Sequence, residues 1–173
     1  VTRAISGRRV LSMSYVSSSS GATEREVVPL ALADNGLRWH VRAFDRKTSS
    51  FRDFVLTRIR SVCALSEAPL PEESVANDVQ WSREVEMELV PHPDFPRPEL
   101  AALDYPMTDG VLRIRAKAAL AGYVLRRWSV DCSEGHSLQG PEYRLWLRNH
   151  ASLEGVDSAS IAPGYVSGES ARG

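Results

Sequence analysis

Apolar and polar residues alternate with a period of two through much of this chain, most cleanly in residues 36–60. Leu37, Trp39, Val41 and Ala43 fall on one face of a strand, with Arg38, His40 and Arg42 on the other. That pattern predicts that Trp39 faces a core. Residues 10–16 (VLSMSYV) predict a first strand, and 17–23 (SSSSGAT) a loop. Residues 25–32 predict a second strand, with Pro29 at an edge or bulge position. Asp34-Asn35-Gly36 is a hairpin turn signal, because Asn and Gly tolerate positive φ. Strands over 37–45, 51–57 and 58–64 follow. Five short strands with tight turns predict a small antiparallel β-barrel over residues 1–65.

The pattern then changes. Residues 66–80 are rich in Pro and Glu with little apolar content, which predicts a linker. From Trp81 to Val90 the alternation is strict: Val85, Met87 and Leu89 against Glu84, Glu86 and Glu88. A half-buried strand with an acidic outer face is expected. A proline-rich turn over 91–98 leads to a short helix at 99–103 and a strand at 111–116. Residues 117–128 place Ala118, Leu120 or Ala121, Leu125 and Trp128 at helical spacing, and 143–148 predict a last strand. Residues 81–153 therefore read as a small α+β domain. The Gly- and Ser-rich stretch 154–173 reads as a flexible tail.

Charge sharpens this division. Residues 1–60 carry a net charge of +6 and residues 61–173 one of −7. Within 36–60 there are seven Lys/Arg and two Asp. The asymmetry fits an anionic partner for the first half, or attraction between basic and acidic halves within a dimer. The two cysteines, Cys63 and Cys132, are far apart, which suits a reducing cytoplasm and neither a disulfide framework nor a zinc site. No apolar run approaches the ~18 residues of a membrane span, so no membrane partner is expected.

Motifs of catalysis are missing. The sequence has no phosphate-binding G-x-x-x-x-G-K-[ST], no G-x-G-x-x-G, no H-E-x-x-H and no G-x-S-x-G. The histidines are scattered, and His92, inside PHPDFP, reads as an exposed turn residue. Neither an enzyme nor a cofactor is expected. Asp45 and Asp53, beside the turn between basic strands, read as turn caps rather than partners of the arginines. The strand pattern places Arg25, His40, Arg42, Arg52 and Arg58 on neighbouring strands. Same-face neighbours across strands are roughly 5 Å apart at Cβ, and cations that close repel unless an anion or carboxylate joins them. The group is thus a candidate site for an anion, most simply phosphate.

The segments REVVP (25–29), NGLRWHVRAFD (35–45) and FRDFVLTRI (51–59) resemble the WYL domain of bacterial transcriptional regulators. Trp39-His40-Val41 takes the place of the Trp-Tyr-Leu triplet, with His for Tyr. DYPMTDG (104–110) and AALAGYVLRRW (118–128) are similar to the C-terminal extension of these regulators, most of all in the phage-defence subgroup. The resemblance implies a Sm-like (SH3-like) barrel that senses a nucleotide or single-stranded nucleic-acid effector, and a C-terminal domain that forms a homodimer. It also implies a repressor whose operator DNA is held by an N-terminal winged helix-turn-helix, an element that does not fit before Val10. The family's ligand positions fall on Ser12 or Tyr15, His40, Arg52 and Arg58, while Arg25 and Arg42 come from the strand pattern. Leu30 stands where a polar ring is expected. The alternatives are a barrel that binds nucleic acid directly without switching, and a dimerisation module whose arginines pair with the acidic half.

Overall fold

A computed structural model describes residues 1–19 and 21–167. Ser20 of the serine loop and residues 168–173 of the expected tail lie outside the described residues. The chain divides into two compact units, Val1–Asp78 and Val79–Gly173.

The first unit opens with helix α1 (Thr2–Ser6), followed by strands β1 (Leu11–Ser17), β2 (Gly21–Asp34), β3 (Trp39–Asp45), β4 (Ser50–Val55) and β5 (Ile59–Ala64). All pair antiparallel in the order β4-β3-β2-β1-β5, so β4 and β5 are the two edges. Alternation decides the faces. Leu11, Met13 and Tyr15 of β1 are buried with Val27 of β2, Val41 and Ala43 of β3 and Phe54 of β4. Two strands separate Tyr15 from β4 in the ladder. Yet its ring lies edge-on to Phe54 at 5.1 Å, and its hydroxyl accepts the Val55 N–H at 3.2 Å. The sheet therefore curls round its own apolar face.

The turn between β2 and β3 is built as its sequence suggests. Asp34 accepts the Gly36 N–H at 2.8 Å, and Asn35 accepts those of Leu37 and Arg38 at 3.0 and 2.9 Å. Gly36 has φ +84°, which a side chain would oppose. At Pro29, which has no N–H to give the ladder, the β2–β3 register shifts between Pro29 and Ala31.

Two expectations for this unit are corrected. Trp39 does not face the core: it is 52% exposed, in the last pair of the β2–β3 ladder, opposite exposed Asp34 beside the turn. The expected linker 66–80 is packed chain up to Asp78, forming one-turn 3-10 segments at Pro71–Glu73 and Val75–Asn77. Glu73 and Asp78 are each 1% exposed. The stretch is poor in apolar residues, and ion pairs hold it instead.

The second unit runs α2 (Val79–Ser82), β6 (Glu84–Pro91), α3 (Glu99–Asp104), β7 (Leu112–Lys117), α4 (Ala118–Arg127) and β8 (Leu145–Leu147). Its antiparallel sheet has the order β7-β6-β8. Val85, Met87 and Leu89 are buried against Ala118, Ala121 and Leu125 of α4. On the opposite face Glu86 pairs with Arg115 at 2.8 Å, and Glu88 pairs with Arg148 at 2.6 Å and Arg113 at 3.3 Å. Two of the three acids on this face of β6, Glu86 and Glu88, are thus ion-paired.

The flexible tail is corrected too. Leu153, Val156, Ala159 and Ala162 complete the core of this unit, and Asp157–Ile161 forms a 3-10 turn against α4. Ser158 Oγ donates to the Ala118 carbonyl at 2.6 Å and accepts the Gly122 N–H at 2.9 Å. A Cβ at Gly122 would lie 1.7 Å from the Ser158 carbonyl oxygen. Small residues make this contact through close approach of backbones, a signal that composition reads as looseness.

Candidate functional site

The predicted site residues divide between the two faces of the curled sheet. Across the β1–β2 ladder Tyr15 opposes Thr23 and Met13 opposes Arg25, which puts Arg25 on the core face. Arg52 opposes Ala43 and shares that face, but is exposed at its rim. Ser12, His40 and Arg42 point to the other side. Ser12 lies between Glu26 and Cys63 in the ladder and does not join the arginines. Arg58 sits in the 3-10 turn Leu56–Arg58 that links β4 to β5.

Two of the four predicted arginines, Arg25 and Arg42, already have carboxylates. Arg25 donates to Asp45 at 2.5 Å and to Thr23 Oγ1 at 3.2 Å, with its guanidinium 5.9 Å from the centre of the Phe54 ring. Asp45 also caps its turn, accepting from Lys47 N–H and Thr48 Oγ1 at 3.1 Å each. It thus serves as cap and partner at once, which the turn-cap reading did not anticipate. Arg42 grips Asp78 with two nitrogens at 2.8 and 2.9 Å and reaches Asp53 at 3.3 Å. Burial opposes the Arg42 charge, but hydrogen bonding to Asp78 and the charges of Asp53 and Asp78 outweigh it and raise its pKa. Among the described residues Arg52 and Arg58 carry no ion pair.

Arg46, between the predicted strands 37–45 and 51–57, joins these arginines. It continues the alternation His40, Arg42, Phe44 one step past β3. It meets Glu73 at 2.6 and 3.1 Å, Glu67 at 2.6 Å and Glu26 at 3.3 Å. The bond to Glu73 comes first in holding the Arg46 pKa above its ordinary value. Burial would raise the Glu73 pKa, yet Arg46 and the Leu70 N–H bring it below the usual carboxylate range. Glu73 and Asp78 lie far from these arginines in sequence, and only their charge could have signalled the pairing.

Burial lowers the His40 pKa; Asp53 opposes the shift, and Arg38 and Arg58 add to it. The ring is therefore neutral in the fold at neutral pH. A folded pKa below the unfolded one makes its contribution complete above about 6.5, and that contribution is lost as pH falls through the folded value. The melting temperature is expected to drop between about pH 7 and pH 5, and His40→Gln to flatten the curve in that window. An unchanged slope in the variant would assign the acid sensitivity elsewhere.

In the second unit His92 is buried, correcting the exposed-turn expectation. Its Nδ1 accepts the Asp94 N–H at 3.2 Å, so Nε2 carries the proton shared with Asp131 at 3.1 Å. Burial pushes the Cys132 thiol up to about 12, with the Asp131 charge adding, so it is no nucleophile at neutral pH. No group of three or more His, Cys, Asp or Glu suited to a metal ion occurs among the described residues. No described helix is long and apolar enough to cross a membrane.

Comparison with known proteins adds an independent line. Residues 1–64 match the WYL domain, and residues 84–153 match the C-terminal dimerization domain of the BrxR transcriptional regulator. The DNA-binding transcriptional repressor CapW of Escherichia coli (strain KTE188) is 33% identical over 153 residues, covering 86% of this chain and 50% of that protein. CapW of Pseudomonas aeruginosa is 32% identical over 134 residues, covering 76% and 43%. CapW of Stenotrophomonas maltophilia is 33% identical over 136 residues, covering 75% and 44%. The chain spans about half the length of these curated relatives.

Proposed function

We propose, from the premise that this chain belongs to the WYL-domain transcriptional regulators bearing a BrxR-type C-terminal dimerization domain, that it is the sensing and dimerising part of a DNA-binding repressor. The second unit makes the homodimer. Operator DNA is held by a part of the protein outside this chain, and the regulated genes serve phage defence. The first unit curls as a Sm-like barrel and binds a phosphate-bearing ligand, a nucleotide or nucleic acid. Ligand binding then biases the dimer between two arrangements that differ in their affinity for it.

The observation that carries this reading is uncommitted charge. Arg25 and Arg42 are tied to buried carboxylates, whereas Arg52 and Arg58 carry no ion pair among the described residues. A charge-assisted hydrogen bond contributes roughly 1.5–3 kcal/mol, so Arg52→Ala and Arg58→Ala are each expected to weaken anion binding about tenfold or more. Neither should shift the melting temperature. Arg42→Ala is expected to lower the melting temperature, because it strands the buried Asp78, at a cost of about 3–5 kcal/mol. Titration with labelled oligonucleotides and with mononucleotides, beside melting curves, reads both effects. Arg52 and Arg58 variants that melt early and bind normally would make these arginines structural and sink the reading.

A second reading, direct nucleic-acid binding without a switch, is favoured by the exposed ring of Trp39, which could stack on a base. On that reading Trp39→Ala weakens oligonucleotide binding while mononucleotide binding is kept.

A further inference from the structure

One face of β3 carries His40, Arg42 and Phe44 in every second position, and Arg46 follows just past its end. Alternate residues of a strand advance about 6.6 Å, so these side chains follow one another along the strand. Such spacing suits successive phosphates of an extended single strand, with the ring available to a base. In this structure the row is not open. The segment 66–78 lies along it and supplies carboxylates in order: Glu67 and Glu73 to Arg46, then Asp78 to Arg42. A cavity of about 620 Å³, lined by Phe44, Arg46, Glu67, Leu70 and Glu73, opens where this strap crosses the end of β3.

We propose that the strap is an internal stand-in for a phosphodiester chain, and that single-stranded nucleic acid binds this row by displacing it. The inference rests on the reading that the first unit takes a phosphate-bearing ligand, and it deepens that reading. The strap's acids are tethered, so their effective concentration at the arginines is high, and one competing phosphate does not remove them. An anion with several phosphates in line meets both arginines at once and exchanges one set of charge-assisted bonds for another. The ligand class is therefore an oligonucleotide and not a mononucleotide. The exchange frees Asp78, the residue at which the first unit ends.

Hydrogen exchange on the unaltered chain tests this directly. Within the strap the amides of Glu73, Ser74, Asn77 and Asp78 donate to the carbonyls of Leu70, Pro71, Ser74 and Val75 at 2.9–3.2 Å. Saturation with a twelve-nucleotide oligo-dT is expected to speed their exchange at least tenfold, while thymidine monophosphate at equal phosphate concentration leaves it unchanged. In parallel, Glu73→Gln is expected to bind the oligonucleotide about tenfold more tightly. The control Glu134→Gln, which removes the same charge from an exposed residue of the second unit without an ion pair among those described, changes affinity less than twofold. Arg46 keeps Glu26 and Glu67 in Glu73→Gln, so that variant is expected to fold. If the oligonucleotide binds and the strap amides exchange no faster, or the two variants behave alike, the strap is a fixed part of the unit and the inference falls alone. If neither the unaltered chain nor Glu73→Gln binds oligonucleotide or mononucleotide, the inference and the ligand reading fall together.

Discussion

Ending the chain after Leu153 is expected to abolish cooperative folding of the second unit. The family match stops at residue 153, but the core does not. The cut removes Val156, Ala159 and Ala162 from the core and uncovers Leu125 and Leu153. It also removes Tyr165, whose hydroxyl donates to the Leu153 carbonyl at 3.2 Å. Burial of a Val side chain alone contributes about 1.5–3 kcal/mol. The voids left behind, and the loss of Ser158 from α4, raise the total to several kcal/mol, against roughly 5–15 kcal/mol for a whole domain. Calorimetry of the truncated and the unaltered chain decides the matter, and equal transitions would show that the core does not need the stretch after Leu153. Dimerisation, if it runs through this unit, should be lost with the shorter chain.

The second large effect is expected from a single methyl group. In an exposed helix interior, replacing Gly with Ala stabilises by about 1 kcal/mol. At Gly122 the sign should reverse, because the new Cβ would sit 1.7 Å from the Ser158 backbone oxygen. Relief requires α4 and the 3-10 turn Asp157–Ile161 to move apart, which breaks both bonds of Ser158 Oγ. Overpacking of this kind costs about 3 kcal/mol. Gly135→Ala, where nothing lies within 4 Å of the added carbon, should leave the melting temperature nearly unchanged. A Gly122→Ala variant as stable as the parent would mean that the helix and the turn are free to separate.

The strands were legible because each carries an apolar face of period two, from Leu11, Met13 and Tyr15 to Val85, Met87 and Leu89. So was α4, whose Ala118, Ala121 and Leu125 recur at helical spacing. Periods of two and 3.6 report strands and helices, and two packed segments show neither; in the second of them Leu153, Val156, Ala159 and Ala162 recur every third residue instead. The strap is held by Glu73 and Asp78, and the C-terminal turn by the small residues Ser158 and Ala159; both read as loose chain. The candidate site was half legible. The concentration of arginines was plain in the sequence. Which were already neutralised was not, because Asp78 stands 36 residues from Arg42 and Glu73 stands 27 from Arg46. Trp39 shows a further limit: its parity is that of the core, but parity does not say where along a strand the core ends. His92 shows the opposite case, a histidine among prolines whose burial depends on Asp131, 39 residues away.

The shift at Pro29 gives β2 two reading frames. Before it the odd-numbered Val27 faces the core; after it the even-numbered Leu32 packs there, paired with Val41. Leu30, between Pro29 and Ala31, has no ladder partner and absorbs the change of phase. A homologue with one residue fewer at this point would regain an unbroken β2–β3 ladder, with Val27 and Leu32 still facing inward. An alignment that places that gap elsewhere in β2 would instead exchange inward for outward positions between the gap and residue 30, and with them the apparent identity of site residues inferred from that stretch.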